Sequence, residues 1–294
     1  MTTQYALENT IKIDELYLKK IKTHNFFSYF GNWIDKIDVL KETFLNNKPF
    51  EHIIIDDFLN IEYAEKLHTL FPTNYDNWHS YLNPIEVKYA YDNINNLPEE
   101  LKNYFYFLSS DTMIEIFRKL TNINDLTYDE YLHGAGLHCH QRNGRLNIHL
   151  DYEKHPYSGK ERRINIILFL SKDWKPEWNG QNELWDETVS KCVTKTDIKF
   201  NRAIIFKTND ISWHGLPEKI QCPENVFRKS LAYYYVSPLN SQKPEDSYRK
   251  KAKYVKRPND NHDENMEQLY KIRPHRRINK EDMETYFPNW KITD

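Results

Sequence analysis

From residue 127 to residue 237 the chain is written in short apolar runs broken by turns, and that pattern leaves few architectures open to it. "RLNIHLD" (145–151), "RRINIILFLS" (162–171), "NELWD" (182–186), "SKCVTKT" (190–196), "NRAIIFKT" (201–208) and "FRKSLAYYYVS" (227–237) are each long enough for a strand and short for a helix. "DEYLHGAGLHCHQ" (129–141) reads as strand, Gly-containing bend, strand. Roughly seven or eight strands at regular spacing, joined by turns, predict an all-β sandwich or barrel.

The flanks read differently. Residues 9–48 space their apolar positions as helices do, "KPFEHIIIDDFLN" (48–60) is a short strand, and "IEYAEKLHTLF" (61–71) is a helix closed by Pro72. Residues 74–96, rich in Asn, Tyr and Trp, read as an irregular excursion, and Pro98 starts one or two further helices. After residue 238 the chain turns polar and partly basic, with a weakly helical end. The expected organisation is a helical extension over 1–48, a mainly β core over 49–238 with helices packed outside, and a polar extension over 239–294.

Composition narrows the function classes. Glycine is scarce, at 7 of 294 residues, and neither a P-loop nor a GxGxxG occurs, which weakens nucleotide-binding readings. A formal net charge of −2 gives no global field for nucleic acid or anionic membrane. The N-terminus lacks an apolar signal core and no run is long enough to span a membrane. Cys139, Cys192 and Cys222, odd in number and far apart, fit free thiols in a reducing cytoplasm.

Within "RLNIHLD" the alternation sends Leu146, Ile148 and Leu150 to one face and His149 and Asp151 to the other. Taken alone, those two are the wet side of a half-buried strand. His214, in "NDISWHGLPE" (209–218) after the apolar strand "RAIIFKT", offers a third ligand. Two His and one carboxylate leave the far side of a metal open, the facial arrangement of non-haem Fe(II) oxygenases, and zinc accepts the same set. Arg228 and Ser230 share a face of the last strand, and an arginine inside a barrel needs an anionic partner. A guanidinium fork matches a carboxylate, and a serine hydroxyl adds a hydrogen bond, so the pattern asks for a small dicarboxylate that also reaches the metal.

These residues resemble the 2-oxoglutarate- and Fe(II)-dependent oxygenases, in the prolyl 4-hydroxylase-like branch. The likeness rests on "HLD" (149–151), "WHG" (213–215) and "RKS" (228–230), with "KPFEHIIIDDFL" similar to the family's entry strand and "NGQNELWD" to the turn and strand between the iron ligands. It covers about residues 48–238. The resemblance implies a double-stranded β-helix (jelly-roll, cupin-like) core, Fe(II) on His149, Asp151 and His214, and 2-oxoglutarate anchored by Arg228 and Ser230. It implies O₂ as co-substrate, ascorbate as an auxiliary reductant, and hydroxylation of a C–H bond coupled to release of succinate and CO₂.

Two positions depart from the family. The tyrosine that often meets the distal carboxylate is matched here by Phe169, which cannot donate, and the tyrosine ahead of the first iron histidine is replaced by "HCH" at 138–140. His138, His140 and Asn165 are the candidates to compensate; a separate structural zinc at His138, Cys139 and His140 is the other reading of that triplet. A nucleic-acid demethylase is disfavoured because its second arginine position holds Tyr234, and the basic "YRKKAKYVKRP" reads as a solvated face. Arg142, Arg145, Arg162 and Arg163 cluster near the iron strands, where they could meet an acidic group or simply face solvent. The expected substrate is small and polar, a carbohydrate or glycan precursor, or a peptide. A peptidyl-prolyl or other amino-acid hydroxylase is the alternative; a zinc hydrolase or a non-catalytic binding module on the same fold are alternatives of another class. The oligomeric state stays open.

Overall fold

The computed structural model describes residues 29–293, so the helical expectation for 9–28 lies outside the described residues. A 3-10 turn, Asn32–Lys36, leads into α1 (Ile37–Asn46). Then come β1 (His52–Ile55), α2 (Ile61–Leu70), β2 (His79–Asn83), β3 (Glu86–Tyr91), α3 (Glu99–Leu108) and α4 (Asp111–Thr121). The strand-rich part supplies β4 (Thr127–Tyr128), β5 (Gly136–His140), β6 (Arg145–Leu150), β7 (Glu161–Phe169), β8 (Asn182–Trp185), β9 (Cys192–Thr196), β10 (Ala203–Lys207), β11 (His214–Leu216) and β12 (Arg228–Ser237). The chain ends with β13 (Lys253–Tyr254), α5 (Glu264–Ile272) and α6 (Lys280–Tyr286).

All strand pairs are antiparallel, in the order β1-β10-β7-β12-β5-β3-β6-β11-β8-β9, with β2 on β3, β4 on β12 and β13 on β6. The sheet wraps into a nearly closed, barrel-like jelly roll with helices outside, the double-stranded β-helix that the sequence led us to expect.

Period-two alternation divides each central strand between two environments. Ile164, Ile166 and Leu168 of β7, Ala203 and Ile205 of β10, and Leu231, Tyr233 and Tyr235 of β12 face outward and bury against α3 and α4 through Tyr104, Phe105, Phe107 and Phe117. Two tyrosine hydroxyls in this layer find partners: Tyr235 donates to the Leu108 carbonyl at 2.6 Å, and Tyr233 lies 2.8 Å from the Ser109 hydroxyl. Each such aromatic contributes about 1.5–3 kcal/mol on burial. The opposite faces turn into the barrel. There Phe169, Leu184, Ile204 and Phe206 fill one end with a small apolar plug, and the other end opens into a cavity.

One expectation is corrected. Residues 74–96 are not an irregular excursion: 79–91 form a hairpin that inserts β3 between β5 and β6. Its outer strand is mostly exposed, so it lacks the apolar alternation that marks a buried strand. The polar segment after 238 also contributes to the sheet, since β13 pairs with β6 and sets Tyr254 opposite His149. Among the described residues, no helix is long and apolar enough to cross a membrane.

Candidate active site

β6 delivers His149, and Asp151 follows at its end; both turn away from Ile148 and Leu150, which pack on Trp185 and Trp213. β11 pairs antiparallel with β6 and sets His214 directly opposite His149, with ring centroids 4.3 Å apart. The close pairing depends on Gly215, where a Cβ would stand 2.7 Å from the Leu146 carbonyl oxygen and 3.0 Å from that of Asn147. Nε2 of His149 lies 3.7 Å from Asp151 Oδ1, and Nε2 of His214 lies 3.7 Å from Asp151 Oδ2. Among the described residues this is the one group of three His, Cys, Asp or Glu side chains whose ligand atoms all fall within 4.8 Å of one another.

The local backbone orients both imidazoles. Nδ1 of His149 is 2.9 Å from the Asn147 carbonyl, and Nδ1 of His214 is 2.8 Å from the Ser212 carbonyl. Carbonyls only accept, so each Nδ1 carries the hydrogen and each Nε2 keeps its lone pair toward Asp151. Burial, then His149, lowers the pKa of His214 to about 4, so the ring is neutral and able to ligate near pH 7. Burial alone would raise the Asp151 carboxyl, but His214, His149 and Arg162 outweigh it and hold the group ionised well below the usual range. Two imidazoles that present Nε2, that of His214 neutral, and an ionised carboxylate fit a divalent iron ion.

Asp151 Oδ2 accepts two further hydrogen bonds, from Asn165 Nδ2 at 3.1 Å and from the Tyr234 hydroxyl at 3.0 Å. Arg162 lies between two tyrosine rings, its guanidinium carbon 3.6 Å from the Tyr152 centroid and 3.5 Å from that of Tyr234, and it donates to the His133 carbonyl and the Tyr152 hydroxyl. A cation stacked on these rings braces the tyrosine that holds the carboxylate.

On β12 the inward positions run Arg228, Ser230, Ala232, Tyr234, all of which line the cavity. Arg228 is 2% exposed. Its Nε donates to the Gly180 carbonyl at 2.8 Å, and its Nη2 has no hydrogen-bond partner among the described residues. Burial pulls its pKa down to about 9, which leaves it charged at neutral pH. A buried cation with an unused donor needs an anion. Across the ladder His140 opposes Arg228 and His138 opposes Ser230. Burial holds His138 at about 3 and His140 well below its ordinary value, so both are neutral, and neither ring nitrogen of His140 has a partner among the described residues. Both rings thus stand across the ladder from the segment holding Arg228, whose guanidinium carbon lies 5.0 Å from the Phe169 ring.

All eight residues singled out in the sequence line this one cavity of about 120 Å³. Asn165 uses its amide on Asp151 rather than beside Arg228. A structural zinc at residues 138–140 does not form, because Cys139 turns to the opposite face and joins the helix-side core. The four arginines near the iron strands do not converge. Arg142 caps the carbonyls of Gln221 and Cys222, Arg145 donates to the Pro84 carbonyl, and Arg163 reaches toward Asp125, leaving Arg162 alone in the cavity. The sequence reading missed Glu86, Lys88, Tyr254 and Arg273, which also line it. Tyr254 stacks on His149 at 5.0 Å, and Glu86 bridges Lys88 at 3.2 Å and Arg273 at 3.3 Å.

Residues 135–236 match the family model described as the 2OG-Fe(II) oxygenase superfamily. No curated protein matches the chain in sequence. Among solved structures, the Trichoplax adhaerens prolyl hydroxylase in complex with a hypoxia inducible factor peptide fragment is similar at TM-score 0.51 and 14% identity, covering 70% of this chain and 94% of that one. A Pseudomonas putida prolyl-4-hydroxylase aligns at TM-score 0.47 and 13% identity, covering 68% of this chain and 99% of that one. HygX from Streptomyces hygroscopicus, with nickel, 2-oxoglutarate and hygromycin B bound, aligns at TM-score 0.42 and 12% identity, covering 67% and 86%.

Proposed function

We propose that the chain, whose residues 135–236 match the 2OG-Fe(II) oxygenase superfamily model, is a 2-oxoglutarate- and Fe(II)-dependent oxygenase of the prolyl 4-hydroxylase-like branch, and that it hydroxylates an unactivated C–H bond of a small polar, carbohydrate-type or peptidyl substrate. In this reading His149, Asp151 and His214 hold the iron, and Arg228 with Ser230 receives the distal carboxylate of 2-oxoglutarate. The observation that carries the assignment is the buried Arg228, whose Nη2 has no partner among the described residues and which shares one cavity with two histidines aimed at an ionised aspartate.

Bound iron with 2-oxoglutarate and O₂ supplies the oxidising chemistry, in which 2-oxoglutarate leaves as succinate and CO₂ and one oxygen atom goes to the substrate. The chain's own part is placement. The Asn147 and Ser212 carbonyls fix the imidazole tautomers, while Asn165 and Tyr234 fix the carboxylate. Arg228 and Ser230 orient the co-substrate, with His138 and His140 as neutral neighbours able to donate to it. The apolar plug of Phe169, Ile204 and Phe206 keeps water from the closed end. The three free cysteines support a reducing compartment, and we place the enzyme in the cytoplasm on that ground.

The deciding experiment measures succinate from protein given Fe(II) and 2-oxoglutarate without substrate. Slow uncoupled turnover is expected from the wild type and none from Asp151→Ala or His214→Ala. Silence from the iron-loaded wild type, with hydrolytic activity on zinc instead, overturns the proposal.

A further inference from the structure

Six cationic side chains line the active-site cavity, namely Lys88, Arg162, Arg228, Lys251, Arg273 and Arg277, against two carboxylates, Asp151 and Glu86. Loading the site does not remove the imbalance, because the charge of Fe(II) and that of the 2-oxoglutarate dianion cancel. Four formal positive charges therefore remain over the metal.

Their distribution shows where the surplus sits. Arg228 is accounted for by the co-substrate, and Arg162 is held between two rings. Lys88 and Arg273 share Glu86. Lys251 and Arg277 have no carboxylate partner among the described residues, and both come from the polar segment that closes over β6. Arg277 lies over the Tyr81 ring at 5.2 Å. Burial, then Arg277 and Arg273, lowers the Lys251 ammonium, and of these three cations only Arg273 has a carboxylate partner among the described residues, Glu86. Lys251 is half-buried and Arg277 exposed, and like charges gathered there are unfavourable unless an anion joins them.

We propose that the substrate carries an anionic group, a phosphate or a carboxylate, that docks between Lys251 and Arg277 at the cavity mouth while the carbon to be oxidised reaches the metal. The proposal rests on the oxygenase reading for its word "substrate" and on the cavity's own charges for the site. An arginine fork and a lysine point charge together suit an oxyanion.

Isothermal titration of inorganic phosphate into the full chain, loaded with Fe(II) and 2-oxoglutarate under nitrogen, tests it; the loaded co-substrate keeps the probe from Arg228. One saturable site is expected, weakened about tenfold in Lys251→Gln and again in Arg277→Gln, as loss of a charge-assisted hydrogen bond predicts. A parallel titration with acetate separates the two sources: tighter phosphate assigns a phosphoryl group, tighter acetate a carboxylate. No saturable binding of either anion overturns the proposal, as does binding that is equal in the wild type and the double variant at unchanged melting temperature. Saturable phosphate with no succinate from the wild type sinks the oxygenase reading and, with it, the substrate role of the site. Succinate without anion binding sinks only the inference drawn here.

Discussion

Tyr234 donates its hydroxyl hydrogen to Oδ2 of Asp151 at 3.0 Å, from a strand that the chain reaches only 83 residues later. The last long strand of the barrel thereby fixes the rotamer of the carboxylate that the first metal strand presents. Tyr234→Phe keeps the ring under Arg162 and removes this one donor. Fe(II) affinity should fall roughly tenfold, the range seen when a group that orients a ligand is lost. Metal titration under nitrogen measures it, and an unchanged dissociation constant would show that Asn165 alone suffices.

Arg228→Ala should weaken 2-oxoglutarate binding on the order of 100-fold, since a buried carboxylate would lose its charged partner. Fe(II) binding should stay as it was, because Arg228 touches none of the three ligands. Calorimetry with each ligand separately reads both effects. In the wild type, saturating 2-oxoglutarate should raise the melting temperature, at about 2.7 kcal/mol for a hundredfold excess over the dissociation constant. The variant should lose that shift.

Gly215→Ala places a methyl group against two backbone carbonyls that cannot swing aside. β11 must then move off β6, which separates His214 from His149. Chemical denaturation should show a loss of ~1–3 kcal/mol, the usual cost of overpacking. Metal binding should be abolished even in protein that remains folded.

Glu86 is buried between Lys88 and Arg273. Burial pushes its carboxyl up, but those two cations outweigh it and hold the pKa at about 2. A depressed acid stabilises the fold fully above its unfolded value and loses that contribution as pH falls through the folded one. Glu86→Gln leaves two buried cations unpaired and should cost about 3 kcal/mol at pH 7. The gap between wild type and variant should close as pH drops from about 4.5 toward 2, and a gap independent of pH would refute the ion-pair account.

What the sequence disclosed follows from one periodicity. His149, Asp151, Arg228 and Ser230 could be read because each sits in phase with apolar neighbours on a strand whose other face is core. Tyr234 lies in that same phase, four residues beyond Ser230, and extending the count would have reached it. The inward turn of Arg162, one of four arginines that could have met an acid, was hidden by a different cause. The ladder between β7 and β12 slips by one residue, so Tyr235 pairs with Ile164 while Val236 pairs with Arg162. Strict alternation would send Arg162 outward beside Ile164, and the bulge at Arg163 turns it inward instead. Glu86 and Lys88 were missed with their hairpin, whose polar outer strand carries no apolar signal. Lys251 and Arg277 belong to a stretch with no periodic pattern, and only the tertiary fold brings them to the mouth.

Arg228, Ser230, Ala232 and Tyr234 stand at successive even steps of one strand, so β12 is a ruler laid between the co-substrate's anchor and the metal's carboxylate. Its length, about 20 Å from the first mark to the last at the usual rise per residue, is set by peptide geometry alone. Loops around the barrel can lengthen, shorten or change charge without altering that distance. A single residue inserted between Ser230 and Tyr234 cannot, because it would turn one of the two marks to the outside. The spacing of the chemistry is thus protected by the most rigid object the chain can make, and the freedom to change what is oxidised is left to the mouth.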